Sequence, residues 1–308
     1  VPEKKFNDII MQEASEPIAQ WRIGDVIVTK VTETEMLRSI TASLPNADID
    51  TVQSTLWLTE QFSLEENHIR FSFHSLIIET ASRNILVDTC FGNDKKRPSM
   101  DYCSHLNLPF LERLEQAGFT RSSIDTVVCT HFHADHIGWN TTRTETGWEP
   151  TFPRARYMFA GKEIDYWADK FHAVPHGTPT DGMTAAFFDS VQPTISAGLV
   201  DRVSTDHRIC DEVRLLPTPG HTPGHVSVVI ESKGEYGLIT GDAIHHPCQL
   251  VQPRWSSGFD LDSAHAMHAR TDILETAIDT HALLIGTHWA GPTAGRVEHD
   301  GNAYRLAR

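Results

Sequence analysis

Cys129-Thr130-His131-Phe132-His133-Ala134-Asp135-His136 places three histidines and one aspartate within six residues, in the order H-x-H-x-D-H. No helix or strand needs that order for its own stability. Imidazole and carboxylate are the groups that bind borderline and hard divalent cations, so the stretch reads as one side of a metal site. The residues leading into it, Asp125-Thr126-Val127-Val128-Cys129-Thr130, are apolar and β-branched and predict a short buried strand. A strand that ends in a ligand-bearing loop is a common way for an α/β protein to present chemistry.

The same construction recurs downstream. Val213-Arg214-Leu215-Leu216 predicts a strand, and Thr218-Pro219-Gly220-His221-Thr222-Pro223-Gly224-His225 follows it. Tyr236–Thr240 predicts another, closed by Gly241-Asp242, and Ala282–Ile285 a last one, closed by Gly286-Thr287-His288. In each case an apolar strand delivers one polar side chain at its end. That recurrence is more specific than any single residue.

Outward from these segments, Trp21–Glu33, Phe71–Glu79, Ile85–Asp88 and Val226–Ile230 predict further strands. Helices are expected over Pro109–Ala117, Lys162–Phe171 and Asp262–Ile278. The order of elements predicts an α/β chain of two sheets stacked face to face, helices outside, ligands at one edge. Residues 1–20 are expected as an N-terminal arm and 21–308 as one domain. The stretch at about 141–206, with its Gly, Pro and aromatic clusters, is expected as an insertion capping the site. The arm is a candidate for docking on a second copy, so a homodimer stays open.

Composition narrows the partners. A formal charge of −15, from 41 acidic and 26 basic residues, repels phosphate backbones and argues against nucleic acid. No apolar run approaches the roughly 18–20 residues that span a bilayer. Five cysteines without C-x-x-C spacing argue against a disulfide framework. The expected compartment is the cytoplasm, although a start at Val1 leaves open a removed leader.

H-x-H-x-D-H, then P-G-H-T-P-G-H, then G-D, then a late histidine together resemble the metallo-β-lactamase superfamily over most of the chain. The resemblance implies an αββα sandwich of two mixed β-sheets with outer helices. It implies two divalent metal ions, with zinc favoured and Mn, Co or Fe as alternatives. His131, His133 and His221 would hold the first ion, and Asp135, His136 and His288 the second, with Asp242 bridging. A hydroxide shared by two such ions is a nucleophile at neutral pH. Asp135 would both ligate and orient it, and is expected to be catalytic.

Zinc β-lactamases carry a cysteine where this chain has Asp242, which turns the expectation toward the lactonase and esterase branch. The implied reaction is hydrolysis of a lactone or small carboxylic ester. Phosphotriester hydrolysis, thioester hydrolysis of the glyoxalase II kind, and a non-catalytic binding role are the alternatives. Leu86-Val87-Asp88-Thr89-Cys90 resembles the family's L-V-D-T-G segment, with Cys90 in place of glycine. Asp88 is expected to bond a ligand histidine. His245 stands where lactonase-type members often have a tyrosine, and is expected to serve as hydrogen-bond donor or acid.

Several residues have blander expectations. His225 reads as structural, His246 as either packing or lining, and His265 and His268 as surface residues. Trp139, Trp255 and Phe259 read more as packing than as pocket walls, and Cys129 and Cys248 as small buried residues.

Overall fold

Successive residues of the central strands belong to different cores, which is the period-two signature of sheets covered on both faces. Ile78, Ile85, Val87 and Val128 pack in one core, while their neighbours Ile77, Leu86 and Val127 pack in another. Val228, Ile239 and Ile285 join the first of these cores, and Val229, Leu238 and Leu284 a third. The first core therefore lies between two sheets. The other two lie under the outer helices.

The structure is a computed structural model that describes residues 9–12, 18–62, 64, 67–172 and 181–307. The first sheet contains β1 (Ile10–Gln12), β2 (Ile18–Ile23), β3 (Val26–Ser39), β4 (His68–Glu79), β5 (Asn84–Val87) and β6 (Thr126–Val128). A small hairpin, β7 (Thr141–Thr144) and β8 (Gly147–Pro150), stands apart; β9 (Arg156–Ala160) and β10 (Val200–Val203) complete the sheet. Its order is β1-β3-β4-β5-β6-β9-β10, with β2 also on β3. The second sheet runs β11 (Val213–Pro217), β12 (Val226–Ser232), β13 (Glu235–Ile239), β14 (Leu283–Ile285), β15 (Ala294–Asp300) and β16 (Ala303–Leu306). Both sheets are mixed. β5, β6, β9 and β10 are parallel in turn, as are β13 and β14, and the other pairs are antiparallel.

Helices Phe110–Gln116 and Gly161–His172 cover the outer face of the first sheet through Phe110, Leu114 and Trp167. Helix Ser263–Asp279 covers the second through Ile273, Leu274 and Ala277. Its start is set by Asp262, whose side chain accepts from the N–H groups of Ala264 and His265. This is the αββα arrangement expected from the motifs. No helix among the described residues is long and apolar enough to cross a membrane.

Three expectations need correction. Trp21–Glu33 is not one strand but the hairpin β2–β3, turning at Gly24. Gly24 has φ +57, and a Cβ there would lie 2.3 Å from the carbonyl oxygen of Ser232, so only glycine fits. The stretch 141–206 is not wholly a cap: β9 pairs with β6 and β10 with β9, inside the first sheet. Its strands are short and separated by helices, so their alternation is masked in the sequence. The expected arm is also partly sheet, since β1 and the start of β2 pair with β3. Its residues 1–8 and 13–17 lie outside the described residues.

Ile78 is fully buried between the sheets. Ile78→Ala should lower unfolding free energy by about 2–5 kcal/mol, read from urea denaturation. A loss below about 1 kcal/mol would contradict a tightly packed interface there.

Candidate metal centre

Each strand end brings one part of the site. β6 leads into His131–His136, β11 into His221, β13 into Asp242 and β14 into His288. All four loops open on the same edge of the sandwich, and their side chains converge. His131, His133, His221 and Asp242 form one group whose ligand atoms lie within 4.8 Å of one another; Asp135, His136 and His288 form a second.

Asp242 stands between the groups. Its Oδ2 is 3.3 Å from His221 Nε2 and 3.8 Å from His131 Nε2. Its Oδ1 is 3.0 Å from His288 Nε2 and 3.3 Å from His136 Nε2. Asp135 Oδ2 lies 3.5 Å from His288 Nε2 and 3.6 Å from His136 Nε2. His133 Nδ1 is 2.8 Å from His221 Nε2. The seven residues expected from the motifs are thus brought together.

Which ring nitrogen faces inward is decided outside the cluster. His136 Nδ1 donates to Asp88 Oδ2 at 2.9 Å, and His288 Nδ1 to the Ser72 carbonyl at 3.1 Å. His221 Nδ1 donates to Asp260 Oδ1 at 2.9 Å. Thr130 Oγ1 donates to Asp88 and so accepts from His131 Nδ1 at 3.1 Å. With the outer nitrogen carrying the proton, each Nε2 presents a lone pair to the interior. Asp88 also accepts the Thr130 N–H at 2.7 Å, so one carboxylate orients two rings and their loop.

This arrangement fits divalent cations. His136 Nε2 and His288 Nε2, both lone-pair atoms in that tautomer, meet at 3.2 Å. Two lone pairs repel unless a proton or cation lies between them. His131 Nε2, Asp242 Oδ1 and both ring nitrogens of His245 are buried without an aligned hydrogen-bond partner among the described residues. The field points the same way. Burial opposes a proton on His136, but Asp242, Asp135 and Asp88 outweigh it and hold its pKa well above the ordinary imidazole value. Burial likewise opposes charge on Asp242, yet His136, His288 and His245 hold its pKa well below the usual carboxylate range. The donor set of nitrogen and oxygen suits borderline divalent ions.

His245 Nε2 is 3.2 Å from Asp242 Oδ2, and the ring lines the adjoining cavity. With His221 and Asp260 it forms a third group of converging ligand atoms. His225 is buried beneath: its Nε2 accepts the Asp242 N–H at 2.8 Å, and Thr218 holds its Nδ1 at 2.8 Å. Gly241 has φ +53, and a Cβ on it would come within 2.6 Å of His225 Nε2. His246 packs against Phe62 and Phe71 and does not line the cavity. His265 and His268 are exposed. Trp139 and Trp255 are buried in the cores, while Phe259 lines the cavity, against its expected packing role. Burial pushes the thiols of Cys129 and Cys248 up, which keeps them protonated and poor nucleophiles.

Two carboxylates escaped the sequence reading. Asp260 turns His221 and is itself held by the Ser257 N–H at 2.9 Å and by Arg270 at 3.7 Å. Glu163, fully buried, ties two ligand loops together. It accepts from the Phe132 N–H (3.0 Å), Trp167 Nε1 (2.7 Å), Thr222 Oγ1 (2.8 Å) and the Gly224 N–H (3.1 Å). Neither residue lies in a motif. Nothing nearby in the sequence marks them: Lys162 and Asp165 flank Glu163, and Asp262 lies two residues beyond Asp260.

The cavity over the cluster has a volume of about 610 Å³ and more apolar than polar wall. Phe71, Phe73, Met100, Trp167 and Phe171 supply much of that wall.

A sequence profile described as the metallo-beta-lactamase superfamily matches residues 71–288, and the chain belongs to that superfamily. Among curated proteins, it is 31% identical over 190 residues to one described as a probable metallo-hydrolase of Mycobacterium tuberculosis, covering 56% of this chain and 57% of that protein. It is 25% identical over 152 residues to an N-acyl homoserine lactonase of Bacillus cereus, covering 49% of this chain and 51% of that one. The chain thus matches little more than half the length of these relatives. Among solved structures, the dizinc quorum-quenching lactonase AidC, in complex with an acyl-homoserine product, shares the fold at a TM-score of 0.76 and 20% identity, covering 94% of this chain and 96% of that one. The hydrolase AbOPH of the beta-lactamase superfamily does so at 0.76 and 22%, covering 96% and 97%.

Glu163→Gln would turn an amide NH₂ toward donors. It should lower stability by about 1–3 kcal/mol in urea unfolding; a change within about 0.5 kcal/mol would argue that the carboxylate does not tie the loops.

Proposed function

We propose that the protein is a metal-dependent hydrolase of a lactone or small carboxylic ester. The observation that carries this reading is Asp242, which turns one oxygen to each of two groups of imidazoles at the floor of a largely apolar cavity. His131, His133 and His221 would hold one divalent ion and Asp135, His136 and His288 a second, with Asp242 available to both. Zinc suits the donor set. Bound there, such ions would supply Lewis acidity toward an acyl oxygen and would acidify water, to a pKa of about 7 on zinc.

The protein's own residues do the rest. Asp88, Asp260, Ser72 and Thr130 fix the rings, so no reorientation is needed when substrate arrives. Asp135, half-buried on the cavity wall, accepts the proton of the attacking water and orients its oxygen. His245 offers a ring N–H to the acyl oxygen or the leaving oxygen. Overall, water's hydroxyl joins the acyl carbon, the acyl C–O bond breaks, and the remaining proton goes to the leaving oxygen. The aromatic walls take up the acyl chain and exclude bulk water. The lactonases among the similar proteins support this substrate class.

Metal analysis of the purified protein should find about two divalent ions per chain. His131→Ala and Asp242→Ala should abolish turnover with circular dichroism unchanged, and Asp88→Ala should weaken metal affinity about 10–100-fold in chelator competition. Full activity after exhaustive chelation would refute the metal mechanism.

A panel of lactones, aryl esters, thioesters, organophosphate triesters and β-lactams identifies the bond. Turnover is expected for the first two. Hydrolysis confined to the thioester or the triester would replace the present reading with that one.

A further inference from the structure

The cavity holds a second polar feature, separate from the metal cluster. Arg38, near the end of β3, lines the cavity and is only 8% exposed. Its Nε and Nη2 are buried with no hydrogen-bond partner among the described residues. The guanidinium carbon lies 5.1 Å from the Phe259 ring centroid, a contact that restrains the group but satisfies neither N–H. Ser43 lines the same cavity, is 4% exposed, and has an equally unpartnered Oγ. It ends the short helix Ile40–Ser43 that follows β3 directly, and its carbonyl accepts the Gly258 N–H at 2.9 Å. Arg38 and Ser43 therefore both abut the 258–259 segment.

A buried cation without an acceptor is costly, and native proteins keep such a group where something else supplies the acceptor. Burial does press the Arg38 pKa down, while Tyr102 and Asp135 oppose that. Guanidinium nonetheless stays protonated in proteins. Among the described residues, the remaining cation on the cavity wall is Lys170, which is exposed, and the other charged wall residues are Asp135, Asp181, Asp242 and Asp260. Among the described residues the wall thus has one buried positive site, with donors that meet no protein acceptor. Its planar fork matches a carboxylate in two parallel hydrogen bonds, and the serine hydroxyl adds a third donor. A neutral carbonyl would satisfy a donor and leave the charge uncompensated.

We propose that Arg38, assisted by Ser43, anchors a carboxylate that the substrate carries in addition to the ester bond to be cleaved. The substrate class is then a half-ester of a dicarboxylic acid, or a lactone bearing a free carboxylate. This rests on the ester-hydrolase reading above and makes Arg38 a specificity-determining residue.

The test compares mono-4-nitrophenyl adipate with 4-nitrophenyl hexanoate, which differ at the terminal carboxylate, on metal-loaded wild type, Arg38→Met, Arg38→Lys and Ser43→Ala. The ratio of kcat/KM for the half-ester over the neutral ester should fall at least about ten-fold in Arg38→Met, chiefly through KM. Arg38→Lys should recover part of it. Calorimetric affinity for adipate should weaken by at least about ten-fold in Arg38→Met. If Arg38→Met does not fold, by its melting curve, Ser43→Ala carries the test through a smaller fall in the same ratio. A ratio that moves less than about two-fold in every folded variant, with both esters cleaved, overturns the anchor and leaves the hydrolase reading standing. Neither ester cleaved but adipate bound in an Arg38-dependent way has the opposite meaning. Neither cleavage nor Arg38-dependent binding overturns both.

Discussion

Everything in this molecule converges on one buried carboxylate. Within 3.8 Å of Asp242 lie one imidazole nitrogen from His245, in its own loop, and four more from His131, His136, His221 and His288. Those last four rings come from three loops after three different strands, and the carboxylate from a fourth. The sheets must place these strand ends on one edge before any of the chemistry can exist. The parallel pairing of β13 with β14 does this for Asp242 and His288, since strands running the same way end on the same side. The Asp88 N–H bonded to the Val128 carbonyl, at the ends of the parallel β5 and β6, does the same for Asp88 and the first histidine loop.

Placing so many ionisable groups in a dry region is expensive unless each is paired. The structure answers with a ring of fixed acceptors and donors. Asp88, Asp260 and Ser72 orient the rings from behind, Arg270 steadies Asp260, and His225 steadies the Asp242 backbone. Glu163 works at longer range, joining the 131–136 loop to the 218–225 loop across the sheet edge. A Cβ on Gly224 would approach the Glu163 backbone nitrogen to 2.3 Å, so the close approach of these loops depends on that glycine. What stays unsatisfied is the interior itself: lone pairs facing one another, with a deficit of positive charge that divalent cations would fill. The same rule exposes Arg38, whose buried donors point to a deficit of the opposite sign.

Much is legible in the sequence because the candidate ligands occupy short motifs at the ends of apolar strands. Periodicity marked those strands, and the residue types marked the chemistry. Legibility failed where a residue's partner is distant along the chain. Glu163 bonds residues 31 and 61 positions away, and Asp260 orients a histidine 39 positions back. Neither has a local pattern. The hairpin at Gly24 was missed because both its strands are apolar enough to read as one. β9 and β10 were missed because each is short and set among helices and turns.

The period-two strands and the candidate metal-binding side chains, Asp242 among them, are readable from the sequence alone. These are properties of adjacent residues. Tertiary packing sets which nitrogen of His131, His136, His221 and His288 faces inward, because that depends on Asp88, Asp260, Ser72 and Thr130 reaching the outer one. It alone also placed Arg38 and Ser43 on the wall of the same cavity. Burial and hydrogen-bond satisfaction are relations between segments far apart in the chain, so no local pattern can carry them.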